Sequence, residues 1–335
     1  MSGIRNYIIT RVLLLIPIMI ISLCAVFLIM RVFPGDPVYT VLGEGAPLEV
    51  VEDMREMLGL NVPLHQQFIN YWVDLLHGDL GRSIHSGKPV LSEILYRFPV
   101  TLQLTIGSIL ISTTIGLLFG VKAAEKRGKI DAVFVVYAAL VYSIPYFLLG
   151  VLLQYFFSVF LGILPVYGLK SALLMERRVT GFILLDSLIN FDLRLFFDSM
   201  KHFILPWLTM GVAQSAPVLR LLRTNLNQVL AEEYITTARA KGLKKNSIFY
   251  KHALKNALLP VITLITMQFA KALGGAIITE TIFALPGVGR LFVNSILNRD
   301  YALVQGCAIF LIVVVSVILL VMDVLYAYID PRIHY

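Results

Sequence analysis

The chain has 335 residues, 58% of them hydrophobic and only 15% charged, with a net charge of +7 and a mean hydropathy of +0.82. Soluble domains carry about 25% charged residues, so this composition excludes an ordinary water-soluble fold and makes a bilayer the natural solvent for the apolar excess. The basic residues lie between apolar runs rather than in one patch, which argues for lipid topology over nucleic-acid binding. Cys24 and Cys307 each sit inside an apolar run, which argues against a disulfide framework or metal knuckle.

A spanning helix takes about 20 mainly apolar residues. Six such runs are predicted, giving an all-α membrane protein with six transmembrane helices. The first is Ile8–Met30. Arg5 before it and Arg11 at its start resemble the charged start of a signal peptide, but the run is too long for an ordinary h-region and no A-x-A site follows, so it reads as an uncleaved anchor. Residues 31–98 form a long external segment: Pro34-Gly35-Asp36-Pro37, an acidic stretch from Glu44 to Glu56, then an amphipathic piece from Gln66 to Leu76 with Tyr71 and Trp72 suited to an interface. The other runs are Val100–Val121, Ala132–Leu161, Phe203–Val229, Leu258–Phe283 and Leu303–Tyr328, with a second external loop over 162–202. The expected organisation is an anchor and external loop over 1–98, a core transmembrane domain over 99–328 with a cytoplasmic loop at 231–257, and a tail over 329–335.

Charge fixes the expected orientation. With the N-terminus in the cytoplasm, 15 of the 28 lysines and arginines fall on the short segments 1–11, 122–131, 220–257 and 329–335, and most acids lie elsewhere. This satisfies the positive-inside rule.

The segment Glu232-Glu233-Tyr234-Ile235-Thr236-Thr237-Ala238-Arg239-Ala240-Lys241-Gly242-Leu243 predicts a short helix over 232–241. Acids occupy its first turn and basic residues its last, as the helix dipole prefers. Gly242 falls just past the helix end, where a left-handed conformation is cheap for glycine. A second helix is predicted from Ser247 to Leu259. The elbow between them reads either as a solvated basic loop or as a docking surface whose small alanines permit close approach.

Thr237-Ala238-Arg239-Ala240-Lys241-Gly242-Leu243, with His252-Ala253-Leu254-Lys255-Asn256-Ala257-Leu258-Leu259-Pro260, resembles the "EAA" coupling loop of ABC-importer permeases, in the dipeptide/oligopeptide branch. Thr236-Thr237-Ala238 stands where the general family has Glu-Ala-Ala, and the spacing from Gly242 to Pro260 is longer than in sugar permeases. Further motifs follow in family order: Phe33-Pro34-Gly35-Asp36-Pro37, Leu58-Gly59-Leu60, Gly78-Asp79-Leu80-Gly81-Arg82-Ser83, Ser143-Ile144-Pro145, Leu164-Pro165-Val166, His202-Phe203-Ile204-Leu205-Pro206, Glu280-Thr281-Ile282-Phe283, Pro286-Gly287-Val288-Gly289, Arg299-Asp300-Tyr301 and Asp330-Pro331-Arg332.

The resemblance implies a type I importer permease fold and the B-type subunit of a permease pair in the plasma or bacterial inner membrane, with both termini cytoplasmic. It implies five kinds of partner: a second homologous permease, two cytoplasmic ABC ATPases, an extracytoplasmic solute-binding protein, membrane lipid, and a di- or oligopeptide passing by alternating access. Oligosaccharides, nickel or glutathione are the alternative solutes of that branch; a stand-alone channel or scaffold is the alternative class. The resemblance makes Thr237, Ala238, Arg239, Ala240, Lys241, Gly242 and Leu243 the ATPase contact. The chain lacks a G-x-x-x-x-G-K-[ST] loop. ATP and Mg are therefore expected on the partner ATPases, with no cofactor, catalytic residue or metal on this chain and no nucleic acid as partner.

Ionisable groups inside apolar runs are candidates for a solute path, because lipid does not tolerate them cheaply. Lys271, Glu280 and Asp323 are such groups; a buried interhelical pair or hydrogen bond is the other reading for Lys271 and Glu280. Glu280 is expected to line the passage or its outer gate. Ser143, Pro145, Gly274 and Gly275 suggest broken-helix backbone near the path, or close helix contacts. Gly287-Val288-Gly289 reads as a tight external turn, and the six scattered histidines have no metal-ligand spacing.

Overall fold

A computed structural model describes residues 2–32, 37–43, 45–126 and 128–329, with only the backbone described at 2–12, 15, 32, 37, 40 and 322–329. Phe33–Asp36, Glu44, Arg127, the Asp330-Pro331-Arg332 motif, His334, the tail from 330 and the Asp323 side chain lie outside the described residues.

The regular structure of the described residues is helical, and their only β feature is an isolated bridge between Arg82 and Pro89. In order the helices are α1 (Ser2–Val32), α2 (Pro37–Leu42), α3 (Leu48–Met57), α4 (Leu64–Leu76), α5 (Val90–Glu125), α6 (Lys129–Ser143), α7 (Tyr146–Gln154), α8 (Ile183–Ile189), α9 (Leu193–Val229), α10 (Glu233–Ala240), α11 (Leu254–Ala257), α12 (Leu259–Ile282), α13 (Val288–Leu297) and α14 (Tyr301–Ile329). Tyr155–Phe160 and Ser247–Ala253 are π-helical.

Helix forms at each of the six expected positions, with three differences. Among the described residues, α5, α12 and α14 through Val321 are long and apolar enough to cross a membrane. The run expected as one span over Ala132–Leu161 is broken: α6 and the α7–π segment are bent by 97°. Pro145 has no N–H to donate and disfavours a helical residue before it, and Ile144 is accordingly extended at φ −86°, ψ 122°. α9 carries Arg220 and Arg223 to hold α6. Arg223 pairs with Asp131 through two bonds of 2.5 and 2.6 Å, and Arg220 Nη2 donates to the Ala138 carbonyl at 3.1 Å. Those cations keep α9 below the apolarity of an isolated span.

The third difference is the start of α5, which runs unbroken through residue 98 from Val90. Its first turns are amphipathic. Glu93 pairs with Arg97 one turn on, whereas Val90 and Ile94 are fully buried against Val288, Leu303 and Cys307. The polar residues hid these turns from a search for apolar runs.

α5 and α9 pack along most of their length because α5 carries a small residue at every fourth position: Ser108, Ser112, Gly116, Gly120 and Ala124, all buried. Small residues on one helix face let backbones approach closely inside a membrane, where packing rather than water exclusion drives association. Gly116 has room for no side chain; a Cβ there would lie 2.5 Å from Val218. From the opposite helix Gly211 is closed in the same way, its Cβ position 2.7 Å from Ile111 and 2.9 Å from the Ser108 carbonyl.

The segments expected to be external are folded. The helix expected near Gln66–Leu76 is α4, joined by α2 and α3. Ser83 Oγ donates to Asp300 Oδ2 at 2.6 Å and Ile84 N donates to the same oxygen at 3.1 Å, so two motifs 217 residues apart meet at the start of α14. In the 162–192 loop, buried Asp186 accepts from Thr180 N (2.7 Å), Thr180 Oγ1 (2.6 Å) and Gly181 N (2.9 Å). Burial alone would raise this carboxyl, but those donors hold it below the usual carboxylate range. A depressed folded pKa gives stability that is present above the unfolded value of about 3.9 and lost as pH falls through the folded value. Protection from hydrogen exchange over 177–190, relative to the free-chain rate at each pH, is therefore expected to fall below about pH 4, and Asp186→Asn to remove that dependence. A wild-type loop indifferent to acid would contradict this account.

Candidate functional site

Two constructions stand out, one at each depth of the bundle. The first is the elbow. α10 ends as the sequence predicts: Gly242 has φ +74°, its N–H bonds the Arg239 carbonyl at 2.9 Å and the Leu243 N–H reaches back to Ala238 at 3.3 Å. This pair of bonds is a Schellman cap. The expected second helix is present from 247, but its first seven residues are π-helical and Leu258 interrupts it before α12.

α10 has two faces. Ile235 is fully buried in a cluster with Ala124 of α5, Leu222 and Leu226 of α9, Ile248, Phe249, and Val261 of α12. Ala238 is half-buried against the same cluster. Thr237, Arg239, Ala240, Lys241, Gly242 and Leu243 are exposed. Polar bonds add to the anchor: Asn256 Nδ2 donates to Tyr234 Oη at 2.8 Å and Tyr250 Oη to Glu125 Oε2 at 3.3 Å. α10 packs on the 247–253 segment and through it joins a cluster to which three long helices contribute. Beside it a recess of about 650 Å³ opens among Glu125, Leu230, Arg239, Lys245 and Phe249.

The second construction is a membrane cavity of about 500 Å³ between the broken span, α9 and α12. Pro145, Lys271 and Gly275 line it, with Tyr142, Gln214 and Gln268. Its polarity has definite sources. Pro217 in α9 deprives the Ala213 carbonyl of its i+4 donor, and both residues face the cavity. Gln268 Nε2 donates to the Gln214 carbonyl at 2.8 Å, while the side-chain oxygens of Gln214 and Gln268 are buried without a hydrogen-bond partner. Lys271 is exposed on this wall.

Three of the sequence candidates stand elsewhere. Ser143 bonds its own helix at Ala139, at 2.8 Å. Gly274 faces open space, with no atom within 4 Å of a Cβ position, so it makes no close helix contact. Glu280 is fully buried and is not part of the cavity lining. It accepts from Thr101 Oγ1 of α5 at 2.6 Å and from Arg290 N of α13 at 2.9 Å, and Val288 N donates to the same threonine at 2.9 Å. Gly287 is packed on that carboxylate, its Cβ position 2.2 Å from Glu280 Cδ. Glu280 clasps the turn after Pro286, which is the tight turn the sequence suggests, and the hydrogen-bonded reading of this residue is the one the geometry fits. The close-packing glycines were missed; the Gly116-x-x-x-Gly120 pattern within the second run carried their signal.

Comparison with known proteins identifies the family. The binding-protein-dependent transport system inner membrane component family matches residues 112–335, and its N-terminal companion matches 4–105. The dipeptide transport system permease of Alkalihalophilus pseudofirmus is 38% identical over 330 residues, covering 98% of this chain and 99% of the relative. The corresponding permease of Escherichia coli K12 is 38% identical over 335 residues, with 98% and 99% covered. A glutathione transport system permease of Salmonella choleraesuis is 39% identical over 331 residues, at the same coverage. An inward-facing structure of the MetNI methionine ABC transporter shares the fold, with TM-score 0.51 and 17% identity over 72% of this chain and 96% of that one. On this evidence the chain belongs to the binding-protein-dependent transport inner-membrane component family, the multi-pass membrane permease subunits of ABC importers.

Proposed function

We propose that this chain is one half of the translocation path of a short-peptide importer, paired with a second permease, fed by an external solute-binding protein and driven by two ATPases that carry ATP and Mg. The observation that supports this most is the elbow: an exposed face on α10 whose buried face is keyed into α5, α9 and α12. On this reading Thr237–Leu243 docks on an ATPase, both termini are cytoplasmic, and nucleotide-driven movement of α10 reorients the walls of the cavity. The peptide assignment draws on the dipeptide permeases above; glutathione, itself a small peptide, is the cargo named for one relative.

Lys241→Cys is the first test, because Lys241 is exposed and its loss disturbs no packing. Crosslinking to a co-expressed ATPase, together with ATP-dependent uptake of a dipeptide into proteoliposomes, is the expected result. A chain that crosslinks to no ATPase and conducts without ATP would make it a channel or scaffold.

Within the cavity, Lys271 supplies a cation for a peptide carboxylate, and the Gln214 and Gln268 oxygens supply acceptors for its ammonium. A hydrogen bond to a charged group is worth roughly 1.5–3 kcal/mol. Lys271→Gln is therefore expected to raise the KM for dipeptide uptake at least tenfold with ATP hydrolysis intact, and Lys271→Arg to restore most of it. An unchanged KM would remove Lys271 from the path.

A further inference from the structure

At the end of the bundle opposite the elbow lies a cavity that the transport reading does not use. α5 fixes the geometry: Val90 and Ile94 at its start pack with Leu303 of α14, while Ala124 at its end packs with Ile235 of the elbow. Arg31, in the last turn of α1, and Tyr301, at the start of α14, share the Val90 end. There a cavity of about 340 Å³ is walled by α1, α4, α14 and the 79–84 segment. That volume would hold about ten water molecules, which suits a small polar group.

Just beneath its lining, on the residues that wall it, lies a set of unanswered donors. Arg31 Nε is held by Gln67 Oε1 at 2.6 Å, and its guanidinium lies over the rings of Phe27 and Tyr301, at 5.2 and 5.0 Å. With the side chain fixed in this way, Arg31 Nη1 is buried and has no hydrogen-bond partner among the described residues. The same holds for Tyr71 Oη and for the side-chain nitrogen of Gln305, a residue only 8% exposed. Guanidinium and amide nitrogens can only donate. A buried donor left unmatched costs about 1–3 kcal/mol, more when charged. An anionic group with several acceptor oxygens offers what such donors lack.

The mouth has the opposite character. Asp74 and Asp79 line the same cavity and are exposed. With Arg31 and Arg82 they make the lining neutral in sum. A simple anion would be repelled at the entrance, whereas a zwitterion matches both ends, its anion on the floor and its ammonium at the mouth. The level favours a lipid source. Arg31 ends the apolar run of α1, and Leu28 and Ile29, within one turn of it, are 56% and 58% exposed. Phe27, Phe68, Tyr71 and Trp72 form a continuous aromatic cluster there, as is usual at the headgroup level.

We propose that this cavity binds the headgroup of a phospholipid bearing a primary ammonium, with its phosphate on Arg31, Tyr71 and Gln305, its ammonium on Asp74 and Asp79, and its chains along α1. Native mass spectrometry of the delipidated full-length chain in its assembled complex tests this, by titration with phosphatidylethanolamine and phosphatidylcholine. One phosphatidylethanolamine is expected to bind at least tenfold more tightly than phosphatidylcholine, whose methylated ammonium cannot donate. Asp74→Asn with Asp79→Asn, both exposed and the second keeping an oxygen for the 2.8 Å bond from Gly81 N, is expected to abolish that preference, and Gln305→Ala to weaken both lipids. Equal binding of the two lipids by wild type and variants would mark annular lipid and overturn the proposal. Displacement of the lipid by dialanine would overturn it too, by making a free zwitterion the occupant.

Discussion

Gly116→Val is expected to leave almost no folded permease in the membrane. The new side chain has nowhere to go: its Cβ alone would lie 2.5 Å from Val218 Cβ and Cγ1 and 3.1 Å from the Ser215 carbonyl. Val218 is fully buried, and its branched side chain is stiff at χ1. Overpacking costs about 1–3 kcal/mol where neighbours can shift and more where they cannot. Here relief requires α5 and α9 to separate along the stripe from Ser108 to Ala124, which would also open the elbow cluster. Detergent extraction followed by size exclusion should recover at least tenfold less monodisperse protein than wild type. Gly274→Ala is the matched control, since a Cβ there meets nothing within 4 Å, and its recovery should be normal. Normal recovery and melting of Gly116→Val would mean that the two helices do not approach as described.

Ile235→Ala is expected to uncouple the permease while leaving it folded. Ile235 is the fully buried side chain of α10, and truncating such a residue costs about 2–5 kcal/mol. The loss falls on the joint rather than on the bundle, because α5, α9 and α12 keep their own packing. α10 would then hang from the Tyr234–Asn256 hydrogen bond and from the 3.2 Å bond of Arg239 to the Leu230 carbonyl. In proteoliposomes containing the complete transporter, dipeptide uptake per ATP hydrolysed should fall at least tenfold, with hydrolysis retained and protein yield normal. Ile235→Val should fall much less. If stoichiometry is preserved in Ile235→Ala, force does not pass through this side chain.

The parts of the fold legible in the sequence were those with a local signature. Long apolar runs marked helix positions, and the acid-first, base-last pattern ending in Gly242 marked the elbow down to its left-handed residue. What escaped depended on partners distant in sequence. The first turns of α5 hide their apolar side chains among Glu93 and Arg97 and reveal themselves only against α14. Glu280 has the composition of a path residue; its partners Thr101 and Arg290 lie 179 positions before it and 10 after it, and only the fold decides that it clasps a turn. The 97° bend at Pro145 was half legible: proline marks the break, but a proline in the sequence does not fix its size. Lys271 and Gly275 share a cavity, while Gly274, one position away, is turned from it, a difference of one helical step that spacing alone cannot assign.

The bond between Ser83 and Asp300 has a consequence for how the chain is made. α1 packs on α14, and the segment before α5 is tied to the first residues of that same last helix. At 5–20 residues per second of synthesis, roughly 10–45 s separates the emergence of the two partners, 217 residues apart. Throughout that interval the first helix, with Arg31 at its end, lacks the neighbour that shields it. Biogenesis of this permease therefore finishes at its beginning: the N-terminal segment is the last to close, and a chain cut short before α14 leaves both of its ends undocked.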